Sequence, residues 1–140
     1  MYLVDINFWL ALVFEAHYHH PRALRWFDVA QPDACAICRV AQSGFLRLAT
    51  NPTVFGDEAV TMSQAWDLYD KLLTDERVCY LPEPQGLESV WRTYTQDQTH
   101  SPKVWSDAYL AAFAEAAGIG MVSFDKGFRK FDGLVLTIPA

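Results

Sequence analysis

The sequence predicts an α/β fold, a mainly parallel sheet of four to five strands with helices on both faces. Three observations lead there. Short apolar runs recur along the chain without polar alternation, the mark of strands buried on both faces. Segments with apolar residues at helical spacing separate them, as βαβ units require. Two of the runs end on a carboxylate, Asp5 and Asp125. Parallel crossovers are right-handed, so the carboxyl ends of such strands share one rim of the sheet.

Taken in order, Tyr2-Leu3-Val4 is the first strand. Asn7 is the expected N-cap of a helix reaching about Ala16. The cluster His17, His19, His20 breaks that helix, and Pro21 suits the first turn of the next, Arg22 to Ala30. Ala34 to Ile37 is a second strand and Arg39 to Ala49 a helix closed by Asn51-Pro52. Gly44 inside that helix costs about 1 kcal/mol against Ala, so it marks a close approach of backbone or ligand. Thr53 to Glu58 reads as a loop, and Thr61 or Ser63 caps a helix over Gln64 to Leu73. Val78 to Leu81 is the third strand, followed by a helix from about Gln85 to Thr95 and a polar loop to Pro102. A helix from Lys103 to Ala117 stops at Gly118, a natural left-handed C-cap. Ile119 to Phe124 and Leu134 to Ile138 complete the sheet.

A chain of 140 residues that is 51% hydrophobic makes one domain, residues 1–140, with a single core. Its longest apolar run, Phe8 to Phe14, is too short to span a bilayer, and no basic segment precedes it as a signal peptide would need. A cytoplasmic protein with no membrane partner is expected. The formal charge of −6 argues against a passive nucleic-acid coat, but not against an enzyme that meets phosphates through metal ions. Cys35 and Cys38 have CxxC spacing, yet no second ligand pair accompanies them, so buried, reduced thiols are expected, with Cys79 unpaired.

Asp107 is the third acid of interest. Leu110, Ala111 and Ala114 follow it at three, four and seven residues, so it lies on a stripe of apolar, mostly small side chains that packs against the sheet. It then points inward near the positive end of a helix dipole, the alternative being a first-turn acid in solvent. Three carboxylates within about 4 Å would repel by roughly 4 kcal/mol per pair at an effective dielectric near 20. A hard divalent cation, Mg²⁺ or Mn²⁺, relieves that repulsion and serves phosphodiester hydrolysis.

These residues also carry a family resemblance. Leu3-Val4-Asp5-x-Asn7, Gly44-Phe45-Leu46-Arg47-Leu48 with Thr50-Asn51-Pro52, Ser106-Asp107-Ala108-Tyr109-Leu110 and Ser123-Phe124-Asp125, in that order, resemble the PIN-domain ribonucleases, and more narrowly the VapC toxins of bacterial toxin–antitoxin systems. The resemblance spans essentially the whole chain. It implies a three-layer α/β/α sandwich and a Mg²⁺- or Mn²⁺-dependent endoribonuclease that leaves 5′-phosphate and 3′-hydroxyl ends. It also implies a homodimer and a cognate VapB-like antitoxin. Carried over, Asp5, Asp107 and Asp125 match the metal-site acids, Ser123 a supporting hydroxyl, and Asn7 a polar neighbour of the first acid.

The sequence departs from the family at one point: where a glutamate is usual early in the third helix, it has Gln42. An amide brings an oxygen but no charge, so weaker metal binding or a lower rate is expected. Gln42 also motivates a rival reading, an inactive PIN-like interaction module. A small Mg²⁺-dependent phosphohydrolase with a nucleophilic aspartate is a second rival, disfavoured because Asn7, not Asp, follows Asp5 by two. Of the basic residues, Arg47 and Lys103 are placed nearest the acids, either on substrate phosphate or in a salt bridge. The histidine cluster reads as a solvated turn, Asp67, Asp70, Asp75 and Glu76 as solvent-facing, and the five tryptophans as mostly core.

Overall fold

The computed structural model describes residues 1–140. Five strands form one all-parallel sheet: β1 (Tyr2–Val4), β2 (Cys35–Ile37), β3 (Val78–Tyr80), β4 (Gly120–Val122) and β5 (Leu136–Thr137). Their spatial order is β3-β2-β1-β4-β5. The chain winds outward from β1 to β3, then returns to lay β4 against the other side of β1. That reversal opens a crevice beyond the carboxyl ends of β1 and β4, the switch point where open α/β sheets bind ligands. Val4 pairs in register with Val122, so the next residues, Asp5 and Ser123, emerge side by side.

Seven α-helices cover the sheet: α1 (Ile6–Val13), α2 (His20–Asp28), α3 (Arg39–Ala49), α4 (Pro52–Phe55), α5 (Met62–Leu73), α6 (Leu87–Tyr94) and α7 (Val104–Ala117). No helix is long and apolar enough to cross a membrane. One core runs through the sheet, with Leu3, Val4, Ala36, Ile37, Met121 and Val122 buried from the strands and Trp9, Phe45 and Phe113 from the helices. The face of α7 is buried as its stripe predicts, Leu110, Ala111 and Ala114 included.

Several boundaries differ from expectation. The N-cap of α1 is Asp5, not Asn7, because the helix starts at Ile6 with no loop after β1. It stops at Val13, since Phe14 turns extended and stacks on Phe55 at 4.3 Å. The segment expected as a loop holds α4 and a 3₁₀ turn, Gly56–Glu58. Asn51-Pro52, which ends α3, is also a cap and first residue for the next helix, with the Thr53 N–H donating to Asn51 Oδ1 at 2.9 Å. At Gly44 the close approach is real: a Cβ there would overlap the Ile6 side chain. Gly118 ends α7 at φ +68°.

Cys35 and Cys38 are buried free thiols, and burial pushes the Cys35 thiol up to about 12, which makes it inert. The histidines organise a turn: the His19 N–H donates to His17 Nδ1, and Arg22 to His19 Nδ1. Asp75 is not a free solvent-facing acid, since Arg77 grips both of its oxygens at 2.9 and 2.8 Å. Of the tryptophans, Trp66 and Trp105 stand exposed.

Candidate active site

Asp5 is the best-determined acid of the crevice. It is 4% exposed, and its side chain is held from two directions. The Ile6 N–H donates to Oδ1 at 2.7 Å, and the Ser123 hydroxyl donates to Oδ2 at 2.6 Å. Ser123 is itself fixed by the Asp125 N–H, which donates to its oxygen at 2.9 Å. Each Asp5 oxygen keeps a further lone pair. Burial, opposed by these donors, pushes its carboxyl up to about 6, and the nearby charges of Asp107 and Asp125 add to the rise.

Asp107 lies in the first turn of α7, half-buried. Burial raises its carboxyl above the ordinary range, Asp125 raises it further, and the Lys130 ammonium opposes both. Asp125 is exposed at the rim, where its side chain caps the 3₁₀ segment Lys126–Lys130 by accepting from the Gly127 N–H at 2.7 Å. The three acids thus act on one another electrostatically, and none of them has a salt-bridge partner.

Gln42 is buried in the first turn of α3, above the carboxyl end of the neighbouring β2. Its amide oxygen accepts from Arg39 at 2.5 Å, and the Arg39 guanidinium lies over the Tyr80 ring at 5.2 Å. It makes no hydrogen bond to the acids. Asn7 is exposed on α1 without a side-chain hydrogen bond. Arg47 sits in the last turn of α3, away from the rim where that helix begins, and Lys103 is exposed just ahead of α7; neither forms an ion pair. The basic side chain set against Asp107 is Lys130. The sequence signal for it was the run Lys126 to Lys130 directly after Asp125, which the cap folds back toward the rim.

An all-oxygen donor set with mutual repulsion suits a hard divalent ion. No three acidic, imidazole or thiol groups are drawn into a closed cage. A hard divalent ion that keeps several of its waters needs only one or two carboxylates from the protein.

Fold and site together define the class: a parallel α/β/α protein with an acidic centre at its switch point. The sequence matches the family model described as PIN domain over residues 2–134. The chain belongs to the PIN-domain family, in its VapC branch. Ribonuclease VapC41 of Mycobacterium tuberculosis is 41% identical over an alignment covering 100% of this chain and 99% of the relative. Ribonuclease VapC37 of the same species is 29% identical, covering 96% and 94%. Among solved structures, VapBC2 from Rickettsia felis bound to a promoter DNA fragment superposes with a TM-score of 0.70 at 12% identity, covering 99% of this chain and 98% of that one. Mycobacterium tuberculosis VapC20, a sarcin–ricin loop cleaving toxin, gives 0.68 at 19% identity, covering 93% and 94%. These structural matches carry the fold.

Proposed function

We propose that this chain is a divalent-metal-dependent endoribonuclease, a VapC-type toxin of the cytoplasm that works as a homodimer and is neutralised by a cognate VapB-like antitoxin. The reading is supported by the electrostatic influence of Asp107 and Asp125 on the buried Asp5 at the switch point, in a chain matched from end to end by a named ribonuclease.

Asp5, Asp107 and Asp125 hold Mg²⁺ or Mn²⁺, with Ser123 and the Ile6 N–H keeping Asp5 in one orientation. The bound cation supplies charge stabilisation at the phosphate and makes water a better nucleophile. Asp107 and Asp125 face the incoming strand from α7 and from the end of β4, while Lys130 offsets the charge of Asp107. Gln42, its oxygen held by Arg39, brings no charge, so the centre has three formal negatives. Asn7 and Lys103 are supporting groups at its margin, whereas Arg47, in the last turn of α3, stands apart from it. An acidic crevice of this kind also suits an Arg or Lys of the antitoxin.

The engaged oxygen of Gln42 favours one second reading, a PIN module that binds its partner without cleaving. Incubating purified protein with labelled RNA separates the two. Cleavage in Mn²⁺ that stops with EDTA and in Asp5→Asn is the expected result. RNA left intact by the native chain across Mg²⁺ and Mn²⁺ titrations would leave the inactive module standing.

A further inference from the structure

A cleft of about 740 Å³ opens between α6, α7 and the segment that follows Asp125, within the range of pockets that take nucleotide-sized ligands. Thr93, Ser101, Val104, Trp105, Lys130 and Asp132 are among its walls. It adjoins the acidic centre in two ways. Lys130 both lines the cleft and acts on Asp107. On α7, Val104 lies one turn ahead of Asp107, and helical side chains lean over the turn before their own Cα. Val104, on the cleft wall, is thus about 5 Å along the helix axis from Asp107.

Its chemistry is selective. Asp97, Glu115 and Asp132 outnumber the single cation Lys130, so the cleft suits an uncharged base and ribose rather than a phosphate group. Trp105 is 55% exposed although its main chain is anchored, since the Trp91 indole N–H donates to its carbonyl at 3.1 Å. Trp91 meets the Trp105 ring edge-on, at 87°, and does not stack on it. Asp132 makes no hydrogen bond or ion pair, which leaves its carboxylate free to accept. An aromatic face, a free acceptor and several hydroxyls suit a nucleobase with its ribose: stacking holds the ring and the carboxylate reads N–H donors.

We propose that this cleft is the base-recognition subsite of the nuclease. It takes one unstacked nucleobase flanking the scissile phosphate, with Trp105 stacking on its face and Asp132 accepting from its donor edge. This rests on the ribonuclease reading, so the test measures binding separately from cleavage. Fluorescence anisotropy of a labelled single-stranded RNA nonamer is read in Mg²⁺ on the Asp5→Asn background, with Trp105→Ala or Trp105→Phe added. Loss of one stacked base is expected to weaken binding by on the order of 10-fold or more. Trp105→Phe recovers most of it, and an abasic nucleotide at one position reproduces the loss without adding to that of Trp105→Ala. Unchanged affinity in Trp105→Ala overturns the proposal. If that variant instead loses a VapB-like antitoxin while keeping RNA, the cleft belongs to a protein partner. Native protein that cleaves RNA indifferently to Trp105 refutes the subsite and keeps the nuclease. Trp105-dependent binding without any cleavage does the reverse, and no binding by either chain refutes both.

Discussion

Replacing Asp5 by Asn should make the metal-free protein more stable. A carboxyl at about 6 in the folded chain, against 3.8 when unfolded, disfavours folding by about 3 kcal/mol once the pH is well above 6. The sign follows from proton uptake. Between those two values the folded state binds more protons, so this group's stabilisation is complete below 3.8 and lost as pH rises through 6. Asn keeps the cap on α1, since Asn and Asp are equivalent there, but surrenders the acceptor of the Ser123 hydroxyl, worth about 1 kcal/mol. The net gain at pH 7.5 in EDTA is therefore about 2 kcal/mol, or roughly 7 °C in Tm for a chain of this size. Between pH 5 and 7.5 the native chain alone loses about 1 kcal/mol through this group, so the gap narrows at pH 5. Thermal melts of both chains at the two pH values measure it. An Asp5→Asn protein that melts at or below the native temperature at pH 7.5, or a gap indifferent to pH, would refute the reasoning.

Three further outcomes are expected. Ser123→Ala strips a donor from the Asp5 carboxylate, and a 10- to 100-fold rise in half-saturating Mn²⁺ at unchanged circular dichroism is the order expected for an orienting group. An unmoved Mn²⁺ titration would show that Ser123 only braces the strands. Gln42→Glu adds a fourth carboxylate beside Arg39 and should lower half-saturating Mn²⁺ severalfold; a higher requirement would place position 42 outside the ion's reach. Arg77→Ala removes the bonds to Asp75, the bond to the Phe27 carbonyl at 3.1 Å and the guanidinium over the Phe27 ring at 3.9 Å. Urea denaturation should show a loss of about 1–3 kcal/mol at constant m, smaller than a fully buried pair would give because both side chains are partly exposed.

Local chemistry made much of this legible in advance. The bounds of α3 were readable because its apolar spacing ends at Asn51-Pro52, and those of α7 because Gly118 stops it. The expected close approach at Gly44 proved to be Ile6, the residue beside the candidate ligand Asp5. Where one signal serves two elements the reading failed, as when Asn51-Pro52 both closes α3 and opens α4. It failed again at β1, where the absence of a loop makes Asp5 at once the last rim residue and the helix cap.

By itself the sequence determined the class of fold, the strands and that Asp5 and Asp125 lie on one rim, because periodicity, capping and crossover handedness are written in neighbouring residues. Only the tertiary structure decided that β4 lies against β1, that Ser123 bonds Asp5 and that Lys130 rather than Lys103 answers Asp107. Strand order is chosen by backbone hydrogen bonds that are blind to side chains and by packing between residues more than a hundred positions apart, which no local pattern encodes.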